Sequence, residues 1–225
     1  FAVSEEKMLS RDEMEAALRK LGAERYHNLH QFHKLLHGGK LNKGQVQAWA
    51  LNRYYYQVII PVKDTALMSR MRDPDLRRIW IQRVIDHDGT KPGDGGIERW
   101  LKLTDGLGLD RELVKSTDAL LPGTRFAVDC YVTYVKEHSV LEGMTSSLTE
   151  LFAPSIHRER IAGMLKNYDF IHDDIMAYFK KRLDQAPRDV EHVLELALLW
   201  PESRAEQQGV IDSLIFKLDC LWAQQ

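Results

Sequence analysis

Apolar residues recur along this chain three and four positions apart, and no stretch alternates apolar with polar residues in a way that reads as a strand. The punctuation agrees with the period. Ser10 and Glu13 carry the capping-box spacing that opens a first helix. A second helix is expected over Tyr26–His37, stopping at Gly38-Gly39. Asn42 caps a long third helix through Trp49, Arg53 and Gln57, which Pro61 should kink or break. Asp73-Pro74 starts a fourth and Asp88-Gly89 ends it, before the loop-like Thr90–Gly96. Further helices are expected at about 97–105, 123–140, 143–152, 155–166, 170–185, 188–200 and 203–223. With no repeat and no flexible linker, residues 1–225 read as one all-α catalytic domain, a helical bundle around an internal active site.

Composition narrows the function. An apolar fraction of 44% in 225 residues fills one substantial core. A formal net charge of −2 argues against a nucleic-acid partner, which would call for a basic face. Apolar runs such as Val193–Trp200 are far too short to span a membrane, and Phe1–Lys7 lacks the apolar stretch of a secretory signal. Two cysteines, Cys130 and Cys220, form neither a disulfide framework nor a C-x-x-C pair, which points to a reduced, cytoplasmic setting.

Four histidines, His27, His30, His33 and His37, fall within an arc of roughly 120° if 26–37 is helical, the face a metal-binding helix would show. The metal reading is weak on counting. Only Glu24-x-x-His27 has the Glu-x-x-His form of a carboxylate-bridged iron site, and nine histidines among 33 acidic residues yield roughly one such pair by chance. Haem needs a single axial histidine, so counting leaves haem open.

A stronger signal comes from ionisable residues set into apolar helices. Arg53 and Gln57 share one helix face, with Trp49, Tyr56 and Ile60 on the adjacent one. Arg83 and His87 sit one turn apart near a helix C-terminus, where a protonated imidazole is favoured. Glu150 and His157 flank Pro154; Tyr178 and Arg182 share a face; Lys63, Arg160 and Lys217 interrupt apolar runs. Buried charges need partners, so cations facing inward against few acids suggest a pocket for a polyanionic small molecule.

At these residues the chain resembles a known family. The strings RYYYQ…IPVKD (53–64), DHDG (86–89), SSLTELFAP…IH (146–157), YF..RL..A.RDVEH (178–192) and FKLD.LW (216–222) are similar, in order, to those of the PqqC family of pyrroloquinoline-quinone synthases. The likeness runs from about Arg11 to Trp222. It implies the haem-oxygenase-like, thiaminase-like all-α fold, a homodimer, and an oxidase that uses neither metal nor organic cofactor. The implied reaction is the last step of pyrroloquinoline quinone (PQQ) biosynthesis: ring closure and eight-electron oxidation of the tricarboxylate precursor AHQQ, with dioxygen as co-substrate and hydrogen peroxide released. Other PQQ-biosynthesis proteins are implied as partners.

Carried over on that resemblance, Arg53, Gln57, Lys63, Arg83, Arg160 and Lys217 would bind carboxylates and quinone oxygens. His27 and His87 would exchange protons with the substrate, His157, Tyr178 and Arg182 would form an oxygen core, and Glu150 would orient neighbours or act as a base. The chain stops at Gln225, where family members usually continue, which raises a truncated C-terminus as an expectation. The alternatives are an iron- or haem-dependent helical oxygenase and a non-catalytic carrier of finished PQQ.

Overall fold

The computed structural model describes residues 6–225, and among them it contains helices and turns but no strand. Residues 1–5, part of the expected 1–225 domain and of the segment read for a signal, lie outside the described residues. The all-α expectation holds. α1 (Arg11–Arg25) opens on the full capping box: the Ser10 hydroxyl accepts from the Glu13 N–H at 3.2 Å, and the Glu13 carboxylate accepts from the Ser10 N–H at 3.1 Å.

The histidine segment is not one helix. A 3-10 turn covers His27–Leu29, and His30 is extended at φ −67°, ψ 141°. Its Nδ1 accepts from the Phe32 N–H at 3.1 Å and caps α2 (Gln31–His37). The ring competes for a backbone donor, as short polar side chains do at helix starts, and the stripe breaks there.

Pro61 does not break the next helix. α3 (Lys43–Met68) runs through it for 26 residues, capped reciprocally by Asn42 and Gln45. An interior proline costs about 3 kcal/mol. Burial of Ile60, Lys63, Asp64 and Leu67 against neighbouring helices outweighs that cost. α4 (Pro74–Asp88) ends at Gly89, whose φ of 78° disfavours a side chain and where an added Cβ would come within 2.6 Å of the Asp94 carbonyl carbon. α5 (Gly95–Gly106), the unanticipated α6 (Arg111–Ser116), α7 (Pro122–Glu137) and α8 (Val140–Thr145) follow, then a 3-10 turn over Ser146–Leu151 and α9 (Ala153–Asn167). The helices expected at 170–185 and 188–200 are a 3-10 turn at Asp173–Met176 and one helix, α10 (Ala177–Leu199), which passes through Pro187. α11 (Arg204–Ala223) closes the bundle. Among the described residues no helix is long and apolar enough to cross a membrane.

Two hydrophobic cores organise these elements, and α3 passes through both. One gathers Met14, Leu18, Trp80, Tyr131, Leu214 and Leu218 around Tyr56, Ile60 and Leu67. The other packs Trp100, Leu103, Met164 and Phe179 around Trp49 and Tyr54. Polar side chains collect where the cores meet. Their placement depends on α2 lying hard against α9: a Cβ on Gly163 would come within 2.6 Å of the His37 carbonyl oxygen. Gly163→Ala should therefore force the two helices apart, at about 1–3 kcal/mol and a fall in Tm of about 2–12 °C. Thermal melts of the two proteins measure it, and an unchanged Tm would contradict this packing.

Candidate active site

Three carboxylates and three cations interlock on one side of the junction. Glu150, in the 3-10 turn after α8, accepts from both terminal nitrogens of Arg83 on α4, at 3.0 and 2.8 Å. It also accepts from Arg182 on α10 at 3.2 Å. Asp189, two turns beyond on α10, lies 3.6 Å from Arg182 and 3.9 Å from Arg83. Asp64, with no exposed surface, accepts from Lys63 Nζ at 2.6 Å and Trp80 Nε1 at 2.9 Å, and faces Arg83 Nε at 3.7 Å. Burial pushes the Glu150 carboxyl up, but Arg83 and Arg182 outweigh it and hold the group down at about 2. Burial likewise opposes the charge on Asp64, and Lys63 and Arg83 keep it ionised. This half of the site is electrically balanced.

The other half is not. A cavity with about 530 Å³ of free space, counting its open mouth, is bounded by Arg53, Arg160, Arg182, Glu150, three histidines and the phenols of Tyr26, Tyr56 and Tyr178. Arg160 is 2% exposed and has no ion pair among the described residues. Its guanidinium rests on Trp49 at 5.2 Å and Phe179 at 5.1 Å, and its Nε donates to His37 Nε2 at 3.4 Å. Arg53 lies 4.7 Å over the Tyr56 ring, with a terminal nitrogen buried and unpartnered among the described residues. Lys217, 3% exposed, sits behind Tyr56 and points at the Tyr131 ring from 4.3 Å. Aromatic faces offset part of the desolvation of these cations, but only an anion can balance their charge.

Burial and the neighbouring cations together set the state of the histidines. Burial, then Arg53, holds His27 well below the ordinary imidazole value, and burial with Arg160 does the same to His157. His87 was expected to be protonated at its helix C-terminus. It is instead pushed down to about 4 by burial and Arg182, which together exceed what a helix terminus supplies. Its Nδ1 lies 2.9 Å from the Arg83 carbonyl oxygen. Burial raises the Tyr178 phenol, whose hydroxyl donates to Gln57 Oε1 at 2.7 Å.

Of the twelve residues singled out in the sequence, eight bound the cavity: His27, Arg53, His87, Glu150, His157, Arg160, Tyr178 and Arg182. The other four stand behind its wall, Gln57 under Tyr178, Lys63 and Arg83 on their carboxylates, and Lys217 under Tyr56. Sequence reasoning missed the inward acids Asp64 and Asp189 and the wall residues Tyr26, Thr149 and Leu221. The signal for Asp64 lay in plain view: adjacent Lys63 and Asp64 on an apolar helix form a pair able to enter a core together. Among the described residues no group of three or more His, Cys, Asp or Glu side chains is disposed to hold a metal ion. Neutral imidazoles, phenols and unpaired cations around one cavity can bind a polyanion and move protons on it.

Comparison with known proteins agrees with this architecture. A model of the TENA/THI-4/PQQC family matches residues 15–225. The chain is 62% identical to the pyrroloquinoline-quinone synthase of Bradyrhizobium diazoefficiens over 97% of its own length and 84% of that protein's. Identity is 61% to the pyrroloquinoline-quinone synthase of Rhodopseudomonas palustris, over 95% and 84%. It is 59% to the bifunctional coenzyme PQQ synthesis protein C/D of Methylorubrum extorquens, over 98% of this chain and 59% of that longer one. Among solved structures, a TenA homologue from P. horikoshii superposes with a TM-score of 0.71 at 16% identity, covering 94% of this chain and 99% of that one. A domain of heme oxygenase-like fold from Shewanella denitrificans gives 0.71 at 13% identity, over 93% and 88%. These two show the fold.

The buried histidines make stability pH-dependent, with a definite sign. His27, His33, His37, His87 and His157 all have folded-state values below the ordinary 6.5. Below 6.5 the unfolded chain therefore binds more protons. The stability of the neutral state is complete above that pH and is lost as pH falls towards about 4 for His87 and about 3 for His37. The Glu150 contribution is lost only in a lower window, from 4.5 towards about 2. Denaturant titrations between about pH 7 and pH 5 should show three or more protons taken up on unfolding, roughly 4 kcal/mol per pH unit. A slope below one proton would contradict the neutral histidines.

Proposed function

Since the chain belongs to the TENA/THI-4/PQQC family, and within it to the pyrroloquinoline-quinone synthases, we propose that it closes the second ring of the tricarboxylate precursor AHQQ and oxidises the product by eight electrons. Dioxygen is the oxidant, hydrogen peroxide is released, and neither metal nor organic cofactor takes part. The chain is an enzyme of PQQ biosynthesis. The finer reading rests on one observation above all: Arg53, Arg160 and Lys217 lie in or beside the cavity without a carboxylate partner among the described residues. A tricarboxylate supplies the three missing anions.

In this reading Arg53 and Arg160 take carboxylates at the wall, while Lys217 acts from behind Tyr56. Lys63 and Arg83, already held by Asp64 and Glu150, act by placing neighbours. Pairing of the two arginines with substrate cancels the part of the effect on His27 and His157 that these cations add to burial, so the substrate raises the basicity of the groups it needs. His27 and His87 then exchange protons with it. The electron-rich, quinol-like intermediate reduces dioxygen itself. Arg182, held by Glu150, favours superoxide and peroxide, and His157 and the Tyr178 phenol, oriented by Gln57, move the protons that peroxide needs.

Purified protein mixed with AHQQ under air, with and without a strong chelator, tests this directly. The quinone spectrum and hydrogen peroxide should appear at equal rates in both. Loss of turnover on chelation with recovery on adding one metal favours the metal oxygenase, and PQQ binding without turnover of AHQQ favours the carrier.

Two variants probe the division of roles. Arg160→Ala should weaken PQQ binding about ten- to a hundredfold, from loss of a charge-assisted contact of roughly 1.5–3 kcal/mol. Tyr178→Phe should keep PQQ affinity but accumulate quinol-like intermediates under air, seen in a single-turnover absorption time course. Native oxidation rates in Tyr178→Phe would remove that phenol from the oxygen chemistry.

A further inference from the structure

The chain has two cysteines, which the proposed chemistry leaves unused, and they face each other across one helix pair. α7 and α11 pack side by side, and their contacts fix an antiparallel register. The Tyr134 and Phe216 rings stack with centroids 4.0 Å apart, and Lys217 Nζ lies 4.3 Å from the Tyr131 ring. Cys130 stands one turn before Tyr134, and Cys220 one turn after Phe216. The same register therefore sets Cys130 against Cys220. The two thiols are near enough for Cys130 to bear directly on the titration of Cys220. Both are free, Cys130 exposed and Cys220 buried. Packing accounts for a cysteine at 220 but gives no reason for one at an exposed helix position opposite it.

We propose that Cys130 and Cys220 are a modification site, a dithiol that hydrogen peroxide converts to a disulfide joining α7 to α11. The proposal rests on the functional reading for one point alone, the source of the peroxide. In the first step the Cys130 sulfur attacks one oxygen of the peroxide. The O–O bond breaks, the other oxygen leaves as water with the thiol proton, and Cys130 becomes a sulfenic acid. In the second step the Cys220 sulfur attacks the Cys130 sulfur. The S–O bond breaks, and the departing hydroxide takes the Cys220 proton as a second water. Two thiols thus lose two electrons and two protons, and one peroxide becomes two waters. A small-molecule thiol in excess reverses the change by exchange and is itself oxidised.

The surroundings set the order of attack. Peroxide arriving from solvent meets Cys130 first, because Cys220 is covered. Burial, then Cys130 itself, pushes the Cys220 thiol up to about 12; Asp219 adds to the rise and Lys217 opposes it. At neutral pH Cys220 therefore stays a thiol, protected until a sulfenic acid forms beside it. The stacked ring pair one turn away holds the helices close, which limits the movement that bond formation needs. Cys220 precedes Leu221 in the cavity wall, and Cys130 precedes Tyr131, at which Lys217 points. The bond fixes the helix pair behind this stretch of wall.

The test treats the native protein, without substrate, with a few equivalents of hydrogen peroxide and then alkylates it. Both thiols should disappear together, with the mass of two hydrogen atoms lost and Cys130 joined to Cys220 in the digested peptides. No covalent link between copies should appear on a non-reducing gel. Tm should rise by about 4–16 °C on oxidation and fall back on reduction. Cys130→Ser should leave Cys220 unmodified at the same dose. Cys220→Ala should stop at a Cys130 sulfenic acid, trapped by dimedone, or pass on to the sulfinic acid. Cys130→Ser, a surface change, carries the test if Cys220→Ala fails to fold. Sulfinic acid at Cys130 with Cys220 free in the native chain, a link between two copies, or a fall in Tm on oxidation overturns the site. If AHQQ under air yields no peroxide, the functional reading falls, while the site, tested with added peroxide, stands.

Discussion

The site depends on a carboxylate that burial alone would protonate. Glu150 stays ionised because Arg83 reaches it with two hydrogen bonds and Arg182 with a third. Those bonds tie together α4, α10 and the 3-10 turn between α8 and α9, three elements distant in the chain. Removing Glu150 would leave two buried arginines with only the longer contacts to Asp64 and Asp189. Two carboxylates would then face three cations, a loss of several kcal/mol rather than of one contact. Asp64 repeats the device on the far side of Arg83, where Lys63 and Trp80 complete its coordination.

Electrical balance on that side gives meaning to the imbalance opposite. Had every cation near the cavity found an internal acid, the pocket would offer hydrogen bonds but little attraction to an anion. Instead Arg160 is cradled by Trp49 and Phe179, and Lys217 by Tyr131 and Tyr56. Aromatic faces stabilise a cation without neutralising it. The charge stays available to a ligand, and the rings come from both hydrophobic cores, so the arrangement is rigid before any ligand arrives.

Most of the helical plan was legible in the chain, because caps act over a few residues. Ser10 with Glu13, and Asn42, marked helix starts that the structure reproduces. Prolines were misleading for the opposite reason: a local penalty of about 3 kcal/mol at Pro61 or Pro187 is outweighed by burial along helices of 26 and 23 residues. The histidine stripe failed on a detail no periodicity can express, the use of the His30 ring as a cap. Ionisable residues set into apolar helices, together with the family resemblance, pointed to the cavity, and eight of the twelve residues so chosen bound it. Their inward carboxylates were not anticipated: Asp189 looks in sequence like an ordinary solvated helix residue, and Asp64 was betrayed only by its pairing with Lys63 on an apolar helix.

His87 shows why electrostatics at such a site must be weighed as a sum. A helix C-terminus favours a protonated imidazole by at most about 2 kcal/mol. Desolvation in a closed junction, with Arg182 close by, exceeds that figure and leaves the ring neutral. The same contest runs through His27, His33, His37 and His157, where positive neighbours outnumber negative ones. Burial, reinforced by unpaired guanidinium groups, thus keeps the pocket's own bases unprotonated, which preserves their capacity to accept a proton. Under the proposed function an arriving polyanion would cancel the guanidinium part of that effect and so raise their basicity when there is a substrate to act upon. Binding would thereby be coupled to proton affinity through charge.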